Sequence, residues 1–123
     1  MAKNNRLQKK PKGSRPPKTM TPEQLEVVAA RFQVLADPTR LWILYNLADE
    51  ELTVNELAHR TGGTQSNISK HLSTLRNHGL VERRPQGTSA FYSVADPSIF
   101  QLCTEVCGGI ERTFENQRKA FDS

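Results

Sequence analysis

No stretch of this 123-residue chain approaches the roughly 18 consecutive apolar residues that a membrane-spanning helix requires. Its opening residues hold no apolar segment of the secretory kind, so a soluble, cytoplasmic chain with no membrane partner is expected. Cysteine is scarce: Cys103 and Cys107 are the only two, and a permanent disulfide between them is not expected in a reducing compartment. Paired carboxylates, a Ser/His/Asp set and a phosphate-cradling glycine loop are all missing, which argues against an enzyme. Internal repeats and a second domain are absent too. At this length one domain with a modest core is expected, which dimerisation would enlarge.

Acids are missing from the first 19 positions, where seven bases stand: Lys3, Arg6, Lys9, Lys10, Lys12, Arg15 and Lys18. The other ten of the 17 bases face all 13 acids, so residues 20–123 carry a net −3 and the overall +4 belongs to the tail. With Pro11, Gly13, Pro16 and Pro17 and almost nothing apolar, residues 1–20 read as a disordered basic arm before a folded domain over 21–123. Such an arm suits nucleic-acid phosphates, and a solubilising extension accounts for it equally well. The folded part is not basic, so it must meet nucleic acid through charges placed locally.

Helix signals are dense. Thr21-Pro22-Glu23-Gln24 combines an N-cap, a first-position proline and a capping-box residue, followed by the apolar stripe Leu25, Val28, Phe32 and Leu35. Asp37-Pro38 opens a second helix whose run Leu41-Trp42-Ile43-Leu44-Tyr45 is apolar nearly all round; it reads as the central buried helix, with Trp42 and Tyr45 in the core. Thr53-Val54-Asn55-Glu56 is a capping box opening a short third helix. Leu80 to Val94 switches to β-branched and aromatic residues flanking a turn at Pro85-Gln86-Gly87, a hairpin signal, with Arg83 and Arg84 beside its tip. Asp96-Pro97 opens a fifth helix, which Gly108-Gly109 interrupts.

The stretch Thr64 to His78 is the most telling. Ile68, Leu72 and Leu75 recur at i, i+4, i+7, and at about 100° per residue Ser66, Lys70, Ser73 and Asn77 fall on the opposite side, flanked by Gln65 and Ser69. No carboxylate stands on that exposed side, and its amides suit adenine edges. An ordinary amphipathic helix would look similar. Its place after Gly62-Gly63 and a short third helix, and before a basic-tipped hairpin, is that of the groove-entering helix of a helix-turn-helix.

With these motifs in order, the chain resembles the ArsR/SmtB family of winged-helix repressors. The matching residues are Val34-Leu35-Ala36-Asp37-Pro38-Thr39-Arg40-Leu41, Glu56-Leu57-Ala58, Gln65-Ser66-Asn67-Ile68-Ser69-Lys70-His71-Leu72, Leu75-Arg76, Gly79-Leu80-Val81 and Phe91-Tyr92, spread over residues 22–115. The resemblance implies a mainly α winged helix-turn-helix (α-α-α-α-β-β-α), dimeric through its first and last helices, which leaves its operator when an effector binds. Expected DNA contacts to an inverted-repeat duplex are Gln65, Ser66, Asn67, Ser69, Lys70, Ser73 and Arg76, with Arg83, Arg84 and Gln86 on the wing. A regulator with no small-molecule effector and a winged helix that binds protein are the rival readings.

Two metal sites common in that family find no counterpart. The Cys-x-Cys positions of the third helix fall on Thr53 and Asn55, which cannot replace thiolates for a soft metal. The last helix has no histidine at all. What remains is Cys103 and Cys107, which share one helical face with Ile99, Val106, Ile110 and Phe114. They read either as small buried hydrophobes or as a thiol sensor for a thiophilic metalloid, a soft metal or an oxidant, with a further ligand from a partner subunit. His71, at the edge of the apolar stripe, reads as a packed, hydrogen-bonded histidine.

Overall fold

The computed structural model describes residues 19–122, so the arm read over 1–20 lies outside the described residues except for Thr19 and Met20. The elements are α1 (Pro22–Leu35), α2 (Pro38–Asn46), α3 (Val54–Thr61), α4 (Gln65–Asn77), β1 (Val81–Gln86), β2 (Ser89–Val94) and α5 (Ser98–Asp122). This is the expected mainly α fold with a β-hairpin wing. No helix among the described residues is long and apolar enough to cross a membrane. The chain divides into two compact units within α1, between Phe32 and Gln33.

In the first unit the capping box at the start of α1 is formed: the Thr21 N–H donates to Gln24 Oε1 at 2.9 Å and the Gln24 N–H to Thr21 Oγ1 at 3.1 Å. Of the apolar stripe, Leu25, Val28 and Phe32 are exposed, whereas Leu35 is buried. Helical periodicity marks a face fit for packing but does not say which surface covers it.

In the second unit Val34 and Leu35 join a core with Ile43, Leu44, Leu47, Leu52, Leu57, Ile68, Leu72, Leu75, Leu80, Val81, Tyr92 and Ile99. Eight of these side chains are fully enclosed, each contributing about 1.5–3 kcal/mol relative to exposure. Asp37 caps α2 by accepting from the Arg40 N–H at 3.1 Å, a bond that holds its carboxyl below the usual carboxylate range. Only one side of α2 is buried. Trp42 and Tyr45 are 57% and 54% exposed, which corrects the expectation of an all-round core helix. Nine residues of helix turn through every direction, and the described elements cover only the side bearing Ile43, Leu44 and Leu47.

The wing also differs in detail. Pro85 and Gln86 belong to β1, and the chain reverses at Gly87-Thr88, with Gln86 opposite Ser89. Gly87 at φ 61° stands first of two loop residues, as a type II′ hairpin turn requires. Pro85 stands opposite Ala90, next to the closing Gln86–Ser89 pair, at a non-hydrogen-bonded position where an N–H would point away from β2, so the ladder loses no bond. A single bridge ties the wing to the chain before α3: Leu52 and Tyr92 exchange N–H···O bonds of 3.1 and 2.8 Å. α5 runs unbroken through Gly108-Gly109, where an interruption was expected. A loss of about 1 kcal/mol per glycine does not break a helix whose ladder continues on both sides, and Thr113 Oγ1 donates to the Gly109 carbonyl at 3.0 Å.

Candidate nucleic-acid interface

Local chemistry fixes where α3 and α4 begin and end. The Thr53–Glu56 capping box starts α3, with bonds of 3.0 and 3.2 Å, and holds the Glu56 carboxyl below its ordinary range. Gly62, at φ 73°, ends it in the left-handed conformation that favours glycine. Thr64 then caps α4, accepting from the Asn67 N–H at 3.1 Å. Ile68, Leu72 and Leu75 are completely buried beneath α4. Its outer side therefore cannot turn inward without emptying the core.

That outer side gathers every helical residue expected there. Gln65, Ser66, Asn67, Ser69, Lys70, Ser73 and Arg76 are all exposed. At 100° per residue Ser66, Lys70 and Ser73 lie opposite the core, Gln65, Ser69 and Arg76 on one flank, and Asn67 on the other. The wing splits its group in two. Arg84 and Gln86 share one face of the hairpin with Phe91, while Arg83 points with Tyr92 to the other.

The cations sort into two kinds. Arg60 pairs with Glu50 at 3.2 Å. Arg84 grips Glu51 with Nε and a terminal nitrogen at 3.1 and 3.0 Å, donates to Gln86 Oε1 at 3.0 Å and lies 5.0 Å from the centre of the Phe91 ring. Hydrogen bonding to Arg84 lowers the Glu51 pKa, and the same bond raises that of Arg84. Lys70, Arg76 and Arg83 are exposed and make no ion pair among the described residues. Sequence reasoning missed the Glu51–Arg84 fork, since no helical or strand period links positions 33 residues apart.

The thiols lie on α5, Cys103 half-buried and Cys107 exposed, both free. They share a surroundings with Tyr45 of α2, whose hydroxyl pKa is raised first by desolvation and then by Cys103 and Cys107. The Tyr45 ring stands edge-on to Phe100, with centroids 5.5 Å apart. An open groove of about 550 Å³ runs beside it along Pro38, Leu41, Trp42, Tyr45 and Asn46. Along the stripe holding the cysteines, Ile99 is buried, whereas Val106, Ile110 and Phe114 are exposed, so its later half is uncovered in the single chain.

The profile of the arsR family of bacterial regulatory proteins matches residues 37–83, from the cap of α2 into the wing. The HTH-type transcriptional regulator KmtR of Mycobacterium tuberculosis is 40% identical over 86 residues, 70% of this chain and 66% of that protein. A transcriptional repressor SmtB homolog of Synechocystis is 35% identical over 97 residues, covering 79% and 74%. This chain belongs to the arsR family. It is a winged helix-turn-helix transcriptional regulator, not an enzyme. The crystal structure of M. tuberculosis Rv0081 superposes with a TM-score of 0.69 at 31% identity, covering 80% of this chain and 98% of that one. The homodimeric winged helix-turn-helix DNA-binding domain Mb0332 of Mycobacterium bovis superposes with a TM-score of 0.66 at 30% identity, covering 82% and 95%. The Thr53 hydroxyl caps α3, and Asn55 is exposed. No cluster of three His, Cys, Asp or Glu side chains suited to a metal occurs among the described residues.

Proposed function

We propose that the protein is a homodimeric repressor that reads an inverted-repeat operator with α4 and is released by an effector acting at Cys103 and Cys107. The observation that carries the DNA reading is the outer side of α4, free of carboxylates and fixed outward by three fully buried residues. A duplex presents phosphates to both α4 and the wing, and a two-fold pair of such helices spans half-sites about one helical turn, ~10 bp, apart. Such a protein acts on DNA in the cytoplasm. The basic arm over 1–20 adds phosphate contacts without base preference.

Salt-dependent binding to duplexes carrying the promoter of its own gene tests this. Each phosphate neutralised releases a counterion, so a duplex-binding dimer must lose affinity as salt rises. Removing residues 1–19 is expected to flatten that dependence. Within the wing, Arg83→Ala is expected to lower the salt slope by about one for each subunit, and Arg84→Ala by much less because Glu51 already neutralises it. Equal slopes for the two variants would reject this division of labour. No salt-dependent binding to any duplex would leave a protein-binding module in its place.

The thiol reading rests on two sulfurs one helical turn apart, near Tyr45, on an apolar stripe whose later half is uncovered. Two thiolates hold a soft ion or trivalent metalloid, with a further ligand from the partner subunit. An effector that binds the DNA-free form more tightly lowers operator affinity by linkage. Cys103→Ser and Cys107→Ser are expected to keep DNA binding and to abolish release by trivalent arsenicals or thiol oxidants, because serine preserves shape but supplies no thiolate. A double serine variant that still responds like the parent makes the cysteines structural. A parent that responds to no member of the panel returns the protein to regulation without a small-molecule effector.

A further inference from the structure

Arg40 joins three elements with one side chain. At the third position of α2 its backbone N–H already belongs to the Asp37 cap. Its Nε–H donates to His71 Nδ1 on α4 at 3.1 Å. A terminal nitrogen donates to the Val34 carbonyl at 3.3 Å, one of those that the C-terminus of α1 leaves without an intrahelical partner. Arg40 and His71 are both half-buried. Because the arginine nitrogen is always a donor, Nδ1 is the acceptor in this bond.

The position of His71 gives this bond its meaning. It leaves α4 about 60° from the line through Ile68, at the border between the buried stripe and the outer side. Ile68, Leu72 and Leu75 set how deeply α4 sits and keep its outer side outward, but apolar contact is non-directional and specifies no single angle of fine roll about the helix axis. A hydrogen bond from a neighbouring helix is directional. A roll of about 20° moves atoms about 6 Å from the axis by about 2 Å, which exceeds the tolerance of a hydrogen bond to a base edge.

We infer that Arg40 and His71 form a strut that fixes the roll of α4 on the core, which makes both of them positioning residues for operator reading. The inference rests on α4 being the reading helix. It adds a requirement that the exposed residues alone do not carry: base preference depends on a bond between two half-buried side chains.

The test uses the full-length protein, a duplex it selects from a random-sequence library and an unselected duplex of equal length. His71→Leu removes the acceptor and keeps an apolar side chain at the border, while His71→Asn places Oδ1 close to where Nδ1 stood. Arg40→Lys keeps the charge without the fixed fork. His71→Leu and Arg40→Lys are each expected to weaken the selected duplex about ten-fold and the unselected one less than about two-fold, and their combination to add little to either single change, as coupled partners do. His71→Asn is expected to return to within about three-fold of the parent, since its carbonyl can accept the same bond. Gln65→Ala serves as the reference for base reading. If it relaxes base preference while His71→Leu binds the selected duplex like the parent, the strut is overturned and the reading helix stands. If neither changes preference, both fall. Losses equal on the two duplexes and parallel to a lowered Tm, or no recovery with asparagine, also overturn the strut.

Discussion

Truncating Leu72 to alanine is expected to lower the free energy of unfolding by roughly 2–5 kcal/mol, the range for a buried leucine that leaves a cavity. Leu72 lies at the middle of the inner side of α4 and is fully enclosed, with Ile68 and Leu75 one turn to either side. A thirteen-residue helix is marginal on its own in water, so most of the stability of α4 comes from packing this side. A small domain holds about 5–15 kcal/mol in all, so the loss is a large share of the total. Urea midpoints at fixed protein concentration measure it, fixed because dimerisation would make stability concentration-dependent. Ser73→Ala, one residue along on the outer side, is expected to change stability by less than about 0.5 kcal/mol. A Leu72→Ala change below about 1 kcal/mol would mean that the core closes around the gap, and the seat of α4 is softer than its burial indicates.

What could be read in the sequence was local. Caps at Thr21, Asp37, Thr53 and Thr64 each combine a short polar side chain with a backbone N–H three residues on, and all four bonds are present. The inner side of α4 was legible because Ile68, Leu72 and Leu75 repeat at the helical period, and their burial follows from it. The exposure of Trp42 and Tyr45 was not legible, since an apolar residue announces a preference and not its neighbour. Pairings between distant positions were hidden for a different reason. Arg40 with His71, Glu51 with Arg84 and Leu52 with Tyr92 join residues that only the folded chain brings together. The candidate DNA face is therefore almost wholly a property of one segment, whereas the bonds that orient it are properties of the fold.

Replacing Gln65 or Ser66 by alanine is expected to weaken operator binding by roughly 1–3 kcal/mol each and to relax preference at one or two base pairs. Both stand in the first turn of α4, the end that enters the major groove first in a helix-turn-helix. Thr64 ties down the start of the helix through the Asn67 N–H, so the side chains of Gln65 and Ser66 project from a fixed backbone and are exposed. A glutamine amide offers a donor and an acceptor spaced for adenine N7 and N6, and a serine hydroxyl serves either role at short range. Lys70 is a point charge on the side opposite the core, so Lys70→Ala is expected to weaken all duplexes evenly and reduce the salt slope without altering base preference. Competition binding with single base-pair variants of the selected operator separates the two kinds of loss. Unchanged base preference in both the Gln65 and Ser66 variants would remove the first turn of α4 from the reading head and shift the search for specificity to Ser69, Ser73 and the wing.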